Sequence, residues 1–215
     1  REFFNERNII EVETPQLSHG TVTDVHLEAF STQGVTVSNN DAELYLQTSP
    51  EFAMKRLLAS GYQSVFQIAK AFRREGNGKF HNPEFTMLEW YRLGYDHHML
   101  IDEVSALLVS VLGCQQPEKL TYQDAFITTL AIDPLTVTID ELKLMLKSKN
   151  QDSEWLMDSN DKDTLLQFIF STFIENEIGR EVPVIVFDFP ASQASLAKIS
   201  PDDPRVAHRF EAYYR

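Results

Sequence analysis

The sequence predicts an α+β fold, a largely antiparallel sheet flanked by helices. Three observations point there. Strand-like and helix-like stretches are mixed along the 215 residues without strict alternation. Residues 65–73 and 85–92 read as two long strands joined by a polar loop, the pattern of a hairpin. Residues 183–189 are almost entirely apolar, as a strand buried on both faces would be.

Taken in order, residues 1–7 read as the end of an amphipathic helix. Residues 9–13 alternate apolar and acidic side chains, as a half-buried strand does, and Pro15 ends them. Residues 43–47 form a short strand. Thr48 or Ser49 can cap a following helix that carries Pro50 in its first turn and stops near Gly61. After the hairpin, residues 98–112 are helical up to Gly113. Thr138 and Glu141 have the spacing of a capping box, and residues 161–177 are helical up to Gly179. Residues 210–214 are strand-like. There is no repeat, low-complexity tract or obvious linker, so residues 1–215 are expected to form one partial domain.

The net charge is −13, which argues against broad binding of tRNA or DNA, since phosphate recognition needs a basic face. A basic protein would be steered toward the chain instead. No apolar run reaches the ~20 residues needed to span a bilayer, so no membrane partner is expected. The single cysteine, Cys114, excludes an internal disulfide and suits a cytoplasmic location.

The hairpin carries the chemistry. Arg73 and Glu75 are two apart, so they share a face of the strand. Arginine presents a planar fork that matches a phosphate. The loop returns His81 over the same place, and Phe85 offers a flat ring on which a purine can stack. Glu89 and Tyr91, also two apart, extend the same floor. By spacing alone the pattern is more readily that of a charged, solvent-exposed hairpin over core aromatics.

Phe72-Arg73-Arg74-Glu75, followed by His81-Asn82-Pro83-Glu84-Phe85-Thr86-Met87, resembles motif 2 of the class II aminoacyl-tRNA synthetases. Residues 1–15, a helix and then a strand ending in proline, resemble motif 1, the dimer-forming element. The string from His81 to Met87 is similar to the lysyl, aspartyl and asparaginyl subgroup, and with Glu89 and Tyr91 it is nearest the lysyl enzymes. Four stretches are similar to the branch that attaches lysine to elongation factor P: residues 21–27, residues 48–51 with Ser49, residues 88–92, and residues 189–197.

The resemblance implies roles. Arg73 would bind the ATP α-phosphate and substrate carboxylate and carry the catalysis. Glu75 would contact the adenine amino group, with Arg74, His81, Asn82 and Phe85 completing the ATP site. Arg74 lies on the opposite strand face from Arg73 and ranks last. Ser49, Pro50, Glu51, Glu89 and Tyr91 would line the amino-acid side, Glu51 meeting the substrate ammonium. The implied substrates are ATP with Mg²⁺ and lysine or (R)-β-lysine. The implied acceptor is elongation factor P rather than tRNA, and the implied assembly is a homodimer through motif 1. The family's core continues past the equivalent of Arg215, where the magnesium ligands and motif 3 with a second ATP-binding arginine are expected. No metal ligands are expected within this chain, and the chain alone is expected to be inactive. Two alternatives stay open: a lysyl-tRNA synthetase fragment and a truncated, non-catalytic paralogue.

Overall fold

The computed structural model describes residues 1–23, 27–35, 41–74 and 81–215, and the chain divides into two units, Arg1–Tyr95 and Asp96–Arg215. In the first unit, α1 (Glu2–Asn5) leads into β1 (Ile10–Glu11). Strands β2 (Leu17–Ser18), β3 (Ser31–Val35) and β4 (Asp41–Leu46) make an antiparallel sheet with β4 in the middle. Helix α2 (Glu51–Ala59) follows, with Pro50 at its N-cap and Gly61 just beyond its end at φ 98°.

The hairpin forms as β5 (Val65–Phe72) and β6 (Glu84–Tyr91), paired antiparallel over eight positions from Val65 opposite Tyr91 to Phe72 opposite Glu84. Strand β1 adds to β5 in parallel, with Ile10 opposite Val65. Directly opposite residues share a face. Thus Val65, Gln67, Ala69 and Ala71 lie on the same side as Tyr91, Glu89, Met87 and Phe85. Those four β5 residues are buried, so this face is the covered one. Phe66 anchors the other face, stacked on Phe4 with centroids 4.5 Å apart, and Trp90 meets Phe4 edge-on.

The second unit opens with α3 (His97–Leu112), capped by Asp96, whose carboxylate accepts the Met99 N–H at 2.8 Å. Strand β7 (Glu118–Thr121) passes directly into α4 (Tyr122–Leu130), with the Thr121 hydroxyl as cap. Helix α5 (Ile139–Ser148) begins on a complete capping box between Thr138 and Glu141. Helices α6 (Glu154–Asp158) and α7 (Lys162–Ile169) follow, and α7 runs into a π turn at Phe170–Ile174. Strand β8 (Val184–Pro190) lies between β7, parallel to it, and β9 (Val206–Tyr213), antiparallel to it. That central place explains its near-continuous apolar run. Gly179 sits at φ 67°, and a Cβ there would meet the Tyr213 carbonyl oxygen at 2.5 Å, so both backbone and space require glycine.

Four of the six strand pairings among the described residues are antiparallel, which agrees with the α+β expectation. The strands form three three-stranded sheets, whereas the sequence pattern suggested one. Periodicity marks a strand but not its neighbours. Residues 9–13 shorten to the two-residue β1: Ile10 and Glu11 stand in register with β5, and the Val12 N–H adds one bond to the Phe66 carbonyl before the strand ends.

Candidate functional site

The covered face of β5–β6 gathers most of the residues named from the hairpin. Arg73 continues the ladder beyond β5: its N–H donates to the Pro83 carbonyl at 2.9 Å. Its Nε donates to the Thr48 carbonyl at 3.2 Å, which sets the direction of the guanidinium. The Arg73 Cζ lies 5.2 Å from the centroid of the Phe85 ring, within cation–π reach. A cation and an aromatic face therefore lie side by side, as a nucleotide phosphate and base would require.

Next to them is a carboxylate network. Glu89 accepts from the Ser49 hydroxyl through Oε2 at 2.6 Å and from the Tyr91 hydroxyl through Oε1 at 2.6 Å. Such charge-assisted bonds are short and strong. Burial pushes the Tyr91 phenol well above its usual range, and the Glu89 hydrogen bond and the Glu89 and Glu51 charges push the same way, so Tyr91 remains a donor. The Ser49 oxygen also accepts the Glu51 N–H at 3.0 Å. It thereby caps α2 from one residue before the N-cap, because Pro50 has no side-chain acceptor to offer. Glu51 is paired with Lys55, one turn along α2, at 2.5 Å, and the Lys55 ammonium lies 5.9 Å from the Tyr91 centroid.

Three supporting groups were not singled out from the sequence. Gln67 is opposite Glu89, 2% exposed, and accepts from the Thr14 hydroxyl at 2.9 Å. A glutamine among the apolar residues of β5, on the parity of Glu89, was the available signal. Lys55 could have been found from its i+4 spacing to Glu51. The Thr48 carbonyl that holds Arg73 carries no side-chain signal at all.

The remaining named residues lie elsewhere. Arg74 turns to Glu28, with an exposed side-chain pair at 2.7 Å and its N–H on the Glu28 carbonyl at 2.8 Å. His81 and Asn82 are exposed at the start of the returning strand. Glu75 lies outside the described residues, as do Asp24, Val25 and His26 of the stretch at residues 21–27.

The family model of class II tRNA synthetases (D, K and N) matches residues 1–215. Among curated proteins, the chain is 55% identical over 216 residues to a Vibrio cholerae protein and 54% identical over 216 residues to one from Vibrio parahaemolyticus. It is 51% identical over 217 residues to one from Salmonella arizonae. Each match covers 100% of this chain, and all three relatives are named elongation factor P–(R)-β-lysine ligase. The chain spans about two thirds of their length: 66%, 67% and 66%.

Proposed function

Because the chain belongs to the class II tRNA synthetase family (D, K and N), we propose that the protein carrying it activates lysine or (R)-β-lysine with ATP and transfers it to elongation factor P. The observation that carries this reading is the pairing on one sheet face of an oriented cation on an aromatic ring, Arg73 and Phe85, with a donor-held carboxylate, Glu89. The names of the relatives support the choice of substrate and acceptor.

In the first step a carboxylate oxygen of the amino acid attacks the α-phosphorus of ATP, and pyrophosphate leaves. Arg73, its direction set by Thr48, neutralises the charge that grows on the phosphoryl oxygens. Phe85 gives the purine a stacking surface. Glu89, fixed by Ser49 and Tyr91, faces a substrate ammonium without having to reorganise. Glu51 is the second carboxylate on the amino-acid side, and an incoming ammonium shares it with Lys55. In the second step a lysine amine of elongation factor P attacks the acyl carbon, and AMP leaves. The resemblance implies magnesium with the ATP. Among the described residues no group of three or more His, Cys, Asp or Glu is arranged to hold a metal ion. The proposed homodimer through residues 1–15 rests on the resemblance, and the proposed cytoplasmic location on the single cysteine. No helix among the described residues is long and apolar enough to cross a membrane.

The test offers the whole protein labelled lysine or (R)-β-lysine, ATP, elongation factor P and tRNA in one reaction at moderate salt. Label on elongation factor P and not on tRNA is the expected result. Label on tRNA at an equal or higher rate would replace this reading with that of a tRNA synthetase.

A further inference from the structure

The amino-acid side of the hairpin site holds a cation that the proposed reaction does not use. Lys55 is one turn along α2 from Glu51, and its ammonium meets the Glu51 carboxylate at 2.5 Å. The same ammonium lies 5.9 Å from the centroid of the Tyr91 ring, within cation–π reach, and the hydroxyl of that ring donates to Glu89. Lys55 therefore faces the site. The Glu51 side chain is 16% exposed and that of Lys55 50%. A carboxylate so covered needs a partner, whereas a half-exposed lysine can leave for water at small cost. The ammonium now at Glu51 also shows that an ammonium can reach it.

The charges suggest what the lysine does. Glu89 is held by two neutral donors, the Ser49 and Tyr91 hydroxyls, which fix it without cancelling its charge. Glu51 is already balanced by Lys55. Lysine and (R)-β-lysine each bring one carboxylate and two ammonium groups. Arg73 answers the carboxylate and Glu89 one ammonium. The second ammonium has to share Glu51 with Lys55, and two cations at one covered carboxylate repel each other.

We propose that Lys55 is a specificity-determining residue of this site, holding Glu51 in place of the substrate ammonium nearer the carboxylate and giving way to water when that ammonium arrives. The proposal rests on the functional reading above. Glu51 takes the inner ammonium because α2 begins three residues after Thr48, whose carbonyl sets the direction of Arg73. Glu89 is four residues along β6 from Phe85, about 13 Å, and takes the terminal one. An amino acid with the inner amine then binds less tightly than an unoccupied Glu51 would allow. One without it leaves the Lys55–Glu51 pair intact and strands no carboxylate. Lys55 thus moderates the preference for the diamino acid.

The experiment measures Kd by calorimetry in the whole protein for lysine and for 6-aminohexanoate, which keeps the carboxylate and terminal amine and lacks the inner amine. Lys55→Met removes the ammonium and keeps a long side chain of good helix propensity. Lysine should then bind about two- to fivefold more tightly, the scale of a partly exposed ion pair. The KM for lysine in pyrophosphate exchange should fall by the same factor, and 6-aminohexanoate should not tighten. Lys55→Arg keeps the cation and should bind lysine no more tightly than the parent. Arg56→Met, an equal charge change at the exposed neighbour, should alter neither Kd. Unchanged lysine binding in Lys55→Met would reduce Lys55 to a helix contact, and weaker binding would make it a support for Glu51. Equal tightening of both amino acids, or tightening in Lys55→Arg, would be an effect other than competition. Each of these overturns the proposal. A parent that binds lysine yet exchanges no pyrophosphate ends the functional reading, while the Kd series still decides the part of Lys55. A parent that binds neither amino acid ends both.

Discussion

In Arg1–Tyr95 the buried side chains include Thr14, Gln47, Thr48, Ser49 and Gln67, set among a modest apolar group around Phe4, Met54, Val65 and Phe66. In Asp96–Arg215 one continuous apolar cluster joins α4, α5, α7 and β8 through Tyr122, Phe126, Leu142, Leu165 and Phe189. Burying a polar group costs free energy unless its hydrogen bonds are met. The first unit meets that cost pair by pair: Thr14 on Gln67, Ser49 on Glu89, and Gln47 on the Gly20 and Tyr45 carbonyls. The second unit also buries Glu103, Ser105, Gln193 and Ser200, but beside a far larger apolar group, so the first unit's interior is organised around a polar face and the second unit's chiefly for packing.

The largest expected effect is on the apolar side. Phe126→Ala removes a ring packed against both Tyr122 and Phe170 and should cost about 3–5 kcal/mol in denaturant unfolding. A cost below ~1 kcal/mol would show that the cluster is loosely packed and would break the contrast. On the polar side, Arg73→Ala in the whole protein should lower lysine-dependent pyrophosphate exchange by about 10²–10³. A near-normal rate would make Arg73 a structural residue.

A smaller effect sharpens the comparison. Gln67→Leu alone strands the Thr14 hydroxyl and should cost about 1–3 kcal/mol, whereas Thr14→Val with Gln67→Leu should cost less than the single change. The double variant should nevertheless raise the KM for the amino acid, because Gln67 lies opposite Glu89. Equal stability and unaltered kinetics would mean that the buried pair serves only the fold.

The smallest effect is on pH dependence. Burial and the neighbouring imidazoles lower the His97 pKa in the folded state. The unfolded chain takes up this proton near pH ~6.5, where the folded chain still resists it. The contribution is therefore present above about pH 6.5 and is lost as pH falls below it. His97→Asn should flatten the stability profile below about pH 6.5, read from melting temperatures. A steeper profile in the variant would reverse the sign.

What could be read from the residues alone was local. The hairpin and the shared face of Phe85, Glu89 and Tyr91 follow from a period of two. The box joins Thr138 and Glu141, three positions apart, and the stop at Gly113 is a single left-handed position. What needed the tertiary structure joins distant positions. Arg73 meets the Thr48 carbonyl across 25 residues, Ser49 meets Glu89 across 40, and Thr14 meets Gln67 across 53. The parallel pairing of β1 with β5, the place of β8 between β7 and β9, and the meeting of His97, His208 and Asp188 are of the same kind. An apolar period states which side of an element is buried and leaves its partner open. The partner is chosen by register and by the need to satisfy each buried polar atom, and both depend on the whole chain being folded.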